Sequence, residues 1–177
     1  AEDGLRLAGR DQGLIETVWM LTQLPLAARS GNFAEGLRQA GVDVSDLPGL
    51  MEVVGAVSDA IDRRLSTNDG RTDLGEMAQM AAAETIMKLV GSRTQSLFGT
   101  TGEDVQRAFA QLGTPKQFST FARDFFGRLT NRYLGYFLSR AVSYHVGEGH
   151  RFATLAEHSE FTNALNVHCR ESSRIVE

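Results

Sequence analysis

Apolar residues recur at spacings of three and four through most of this chain, and a period-two alternation is nowhere sustained. The pattern predicts helices almost throughout. From Asp11 to Leu24 the apolar side reads Leu14, Ile15, Val18, Trp19 and Leu21, and Pro25 is expected to end or kink the helix. A short helix follows from Asn32 to Ala40, stopped by Gly41. Ser45 or Asp46 is placed to cap a helix reaching about Leu65, with Leu50, Val54, Val57, Ile61 and Leu65 on one side. Residues 66–70 are a break of turn-forming types. Asp73 and Glu76 have capping-box spacing and open an Ala- and Met-rich helix holding Met77, Met80, Ala81 to Ala83, Ile86 and Met87, which ends at Gly91 or runs on to Gly99. Thr101 opens a helix to Leu112, closed by Gly113. After a hinge at Gly147 and Gly149, a last helix is expected from Ala153 or Ser159 to the end.

The longest pattern lies over about 115–146. Thr114 can cap it, Pro115 suits its first turn, Gln117 completes a capping-box spacing, and Gly147 is a natural stop. Eight of the thirteen Phe and Tyr residues fall inside it, so this one helix carries most of the ring area available for a core. On a wheel of about 100° per residue, Phe118, Phe121, Phe125, Leu129, Tyr133 and Tyr136 share a face. Leu134, Leu138 and Val142 add a second apolar row in the distal half. A helix apolar nearly all round is expected to have neighbours on several sides. The predicted fold is therefore all-α, a single domain over 1–177 of six or seven helices packed around the 115–146 helix. Gly127 and Gly135, eight apart on that helix, are expected where another helix approaches closely.

Composition adds limits. Hydrophobic residues make up 42% and charged residues 23%, ordinary for a soluble globular domain. No apolar run is long enough to span a membrane, and the first residues lack the basic and apolar segments of a signal peptide. One cysteine, Cys169, excludes an internal disulfide and fits a reducing, cytoplasmic setting. The residues at both ends read as those of a piece of a longer chain or a subunit of a complex. The formal net charge of −4 argues against a strongly basic nucleic-acid binder. Yet 105–147 holds six basic residues and one acid, Asp124.

Candidate chemistry is sparse. Arg140 falls inside the aromatic stripe, between Tyr136 and Tyr144, where an unpartnered guanidinium would be costly to bury. It is expected to pair with an acid from another helix, to stack on the Tyr or Phe rings around it (Tyr133, Tyr136, Phe137, Tyr144), or to wait for an anionic ligand or partner. Arg128 and Arg132 share a face while Arg123 points elsewhere on the wheel, and Asp124 sits one turn before Arg128. These three arginines are the nucleic-acid candidates. His145, His150, His158 and His168 lack the spacings of a metal site, so no metal and no cofactor are expected. No nucleophile elbow, P-loop or dinucleotide fingerprint is present. The expected function is a non-catalytic helical interaction or assembly module, part of a larger bacterial cytoplasmic protein or complex, with a protein partner or a second copy. The alternatives are a nucleic-acid-associated subunit, for example of a prokaryotic defence system, and a regulator binding a small anion at Arg140.

Overall fold

The computed structural model describes residues 8–66, 71–94, 101–145 and 154–173, with 141–145 and 155 described by backbone alone. The described residues form seven helices and no strand: α1 (Gln12–Arg29), α2 (Phe33–Gln39), α3 (Leu50–Ser66), α4 (Asp73–Thr94), α5 (Gly102–Leu112), α6 (Pro115–His145) and α7 (Leu155–Ser172). The chain is an all-α bundle. The expected loop at 67–70 and the Gly147–Gly149 hinge lie outside the described residues.

Side-chain caps set most of the helix starts. Asp11 Oδ1 accepts from the Leu14 N–H at 2.8 Å, Asn32 caps α2, and Thr101 with Asp104 forms a reciprocal capping box at α5. Three starts differ from expectation. Thr72 rather than Asp73 caps α4, its Oγ1 accepting from the Gly75 N–H at 2.9 Å. Ser45 gives both its N–H and its hydroxyl to Glu52, so α3 begins at Leu50. Thr114 caps α6 as expected, its Oγ1 accepting from the Gln117 N–H at 3.4 Å, but the Gln117 side chain accepts from Arg93 at 2.5 Å instead of returning to Thr114. Pro25 does not end α1, which continues to Arg29. Leu24, Pro25, Ala27 and Ala28 are all buried, and that packing holds the turn together despite the missing N–H.

The buried line of α1 runs through Gly13, Thr17, Met20, Leu21 and Leu24. Ile15 and Trp19, expected inside, are partly exposed, and the Arg64 guanidinium covers the Trp19 ring at 4.1 Å. Small residues line the inward side of α4: Gly75, Ala78, Ala81, Ala82 and Thr85. That lets α4 approach its neighbours closely, and it packs against α1, α3, α5 and α6. Its longer side chains Met80 and Met87 face outward. Gly41, with φ +85°, closes α2 in the left-handed conformation that glycine adopts without strain.

The aromatic helix divides into two unlike halves. Phe121, Phe125 and Leu129 are in the core. Past Leu129 the expected enclosure is not found: Tyr133 is 38% and Phe137 51% exposed. Relative length explains this. Helix α6 runs antiparallel to α4, with Asp124 beside Lys88, Arg132 beside Glu84 and Tyr136 beside Asp73. Asp73 is the first residue of α4. With 31 residues against 22, α6 outruns its partner, and Phe137, beyond Tyr136, has no α4 surface to meet. Helix α7 returns antiparallel along α6. A Cβ added at Gly127 would lie 3.0 Å from Ser173 Oγ, so α7 does approach closely there. At Gly135 the same construction meets nothing within 4 Å among the described residues, and none of the described helices makes the expected close approach there.

Candidate functional site

A groove of about 500 Å³ runs between α4, α6 and α7. Helix α4 contributes Glu84 and Lys88, one turn apart. Helix α6 contributes Arg123, Asp124, Arg128 and Arg132, and α7 contributes Arg170 and Asn166. The three arginines named from the sequence therefore do converge, Arg123 included. The wheel separated Arg123 from the other two, but the α4 and α7 walls bound one groove that spans both faces of α6.

Two carboxylates organise the cations. Asp124 accepts from Lys88 Nζ at 2.6 Å through one oxygen and from Arg128 Nε at 2.6 Å through the other. Glu84 accepts from Arg128 at 3.0 Å and also pairs with Arg132. Arg128 thus bridges both acids, and Arg132 reaches the Met80 sulfur at 3.6 Å with its remaining terminal nitrogen. The buried Arg132 Nε–H has no acceptor among the described residues. Burial by itself would raise the Asp124 carboxyl, but the hydrogen bonds from Lys88 and Arg128 outweigh it and hold the group below the usual carboxylate range. Burial likewise works against the Arg128 cation, and Asp124 and Glu84 more than compensate.

This has a pH consequence. A depressed carboxyl contributes stability that is fully present above the ordinary Asp value of about 3.9 and is withdrawn as the pH falls below it. Thermal melts of the parent are expected to lose stability through that window more steeply than melts of Asp124→Asn. At neutral pH the variant should be less stable by about 1–3 kcal/mol, because two cations lose their shared acceptor in a site that is only partly buried. Parallel acid slopes for parent and variant would show that Asp124 is not the anchor of the network.

Arg140 is exposed rather than buried in the stripe. Its guanidinium lies 5.3 Å from the Tyr136 ring centre and donates to the Tyr136 hydroxyl at 2.7 Å, and that hydroxyl donates to Asp73 at 3.0 Å. A stack on Tyr136, one of the three expected arrangements, is what forms. Tyr133 and Tyr136 pack on Phe137 with centroid distances of 4.9 and 5.3 Å. The Tyr144 side chain, with His145 and His150, lies outside what the structure describes.

Among the described residues no three His, Cys, Asp or Glu side chains gather as a metal site would require. His168 Nε2 lies 3.3 Å from the Ser172 hydroxyl, one turn along its own helix. Cys169 is buried, and burial pushes its thiol up, away from the thiolate that nucleophilic work needs. No described helix is long and apolar enough to cross a membrane.

Glu84, Lys88 and Arg170 were missed in the sequence. Glu84 and Lys88 stand at the i,i+4 spacing of an ion pair along one helix, which suggests a solvated surface rather than one wall of a site. Arg170 carries no signal until α7 is folded back on α6. No family model, no curated protein and no solved structure matches this chain. Fold and site together define an all-α bundle with a basic groove on one side and an open aromatic cluster at the far end of its longest helix.

Proposed function

We propose that the protein is a non-catalytic helical interaction module, a subunit or domain of a larger cytoplasmic assembly, which meets its protein partner through the distal half of α6. The observation that carries this reading is the cluster of Tyr133, Tyr136 and Phe137. These rings stack on one another but lie largely outside the core, and Phe137 is half exposed. Aromatic rings standing together in the open, with a Tyr hydroxyl and an Arg head at their rim, have the composition of an interface centre. Helix α7 adds Val167, also exposed, to the same hairpin.

The regulator reading has weaker support. An anion at Arg140 would meet the Asp73 carboxylate, which already accepts from the Tyr136 hydroxyl that Arg140 engages.

The test begins with capture from a cell extract, followed by reconstitution of any complex, hetero- or homo-oligomeric, from purified components. The Tyr133→Ala, Phe137→Ala double variant should fold and should weaken that purified complex by at least about tenfold, as loss of a ring pair at an interface centre does. A reconstituted complex of unchanged affinity, or no complex with the parent at all, would overturn the proposal.

A further inference from the structure

We infer that the groove between α4, α6 and α7 is a binding site for a small polyanion, of the class that carries two or more linked phosphates. Nothing in this inference depends on the aromatic face discussed above. Setting aside Arg123, which has a partner of its own, four basic and two acidic residues line the groove, a surplus of two positive charges in a chain whose formal net charge is −4. The two carboxylates are already spent. Each of Asp124 and Glu84 holds two cations, one on each oxygen, so neither is left to answer the surplus. They also fix Arg128 and Lys88 in place, so that part of the ordering cost of gripping an anion is met before it arrives.

Arg170 faces the groove from α7 and is exposed, with no acidic partner among the described residues. The neutral donors Asn131, Asn166 and Thr120 lie between the charges. Guanidinium forks match phosphate oxygens bidentately, which a lone ammonium cannot do. A single carboxylate would leave half of that surplus unanswered, whereas linked phosphates answer it within one ligand.

Size and lining separate this ligand from a nucleic-acid strand. The volume suits a small molecule. No aromatic ring is among the described residues that line it, so bases would find no stacking platform there, and recognition would rest on the phosphates. The rings of α6 that could stack bases point into the core or lie beyond Leu129.

Calorimetric titration of the purified full chain with inorganic pyrophosphate, at near-physiological salt, tests the site. Saturable one-to-one binding is expected. Arg170→Gln removes a groove cation that holds no ion pair among the described residues, and Asn166→Asp places a carboxylate in the groove without breaking one. Each should leave the helical spectrum intact and weaken pyrophosphate by about tenfold or more, while Arg10→Gln, outside the groove, should change nothing. Absence of saturable binding into the millimolar range would overturn the inference. So would an affinity unchanged from the parent in both groove variants, which would place the anion elsewhere. A single-stranded oligonucleotide that binds more tightly than pyrophosphate, with the same variants weakening it, would replace the small-ligand site with a nucleic-acid track.

Discussion

Phe125→Ala is expected to destabilise the fold by about 3–5 kcal/mol, the range for emptying a large aromatic site in a packed core. Phe125 is 1% exposed, belongs to the central cluster and meets Phe126 edge-on at 5.0 Å. The cavity would open between α6 and its neighbours, where helices already in contact along their lengths have little freedom to close it. Phe137→Ala, on the same helix, should cost about 1 kcal/mol or less, since only its ring contacts with Tyr133 and Tyr136 are lost. Urea unfolding midpoints of the two variants measure the difference directly. Equal losses would mean that the distal half of α6 is enclosed, as its apolar pattern suggested, and that no aromatic face is open.

Glycine substitutions should have opposite signs at different sites. Gly13→Ala and Gly75→Ala each add a methyl group where α1 and α4 touch backbone to backbone. The added carbon at Gly13 would lie 2.5 Å from the Gly75 Cα, and that at Gly75 2.9 Å from the Gly13 Cα. No rotamer change relieves a clash with main chain, so the helices must part. They would pull on the contact in which Thr72 donates to Asp11 at 2.6 Å. Overpacking of this kind costs about 1–3 kcal/mol, and the gain in helix propensity from Gly to Ala, about 0.5–1 kcal/mol, offsets only part of it. Net losses near 2 kcal/mol are expected. Gly55→Ala, mid-helix in α3 with nothing within 4 Å, has the gain without the clash and should stabilise by about 0.5–1 kcal/mol. If thermal unfolding showed all three variants stabilised, the close α1–α4 crossing would be refuted.

Sequence by itself determined the helices and most of their ends. Thr101 with Asp104, Asn32 and Gly41 act locally, within a turn of the chain, so their effects could be read from neighbours alone. The apolar period found Val57, Ile61 and Leu65 on α3, where Val53 is buried and the expected Leu50 and Val54 only half-buried, and it found the core side of the first half of α6. It served less well on α1 and α4, where Gly13, Thr17, Gly75, Ala78 and Thr85 take inward positions beside Met20, Leu24 and Ile86 while Trp19 and Met80 face outward. Small residues are inside there because another helix is close, and closeness is a property of the pair. The Asp124–Arg128 pair was likewise legible from its one-turn spacing.

Tertiary structure decided the rest. Whether the rings past Leu129 are buried depends on where α4 begins, and a wheel drawn for α6 alone contains no such length. Arg123, Arg128, Arg132 and Arg170 form one groove only because α7 folds back along α6 and α4 supplies Glu84 and Lys88 between them. Periodicity reports what each helix offers to its surroundings, and charge counts report a sum. Which offers meet, and where the charges converge, is set by the antiparallel register of α4, α6 and α7, which is fixed by contacts many residues apart in the chain.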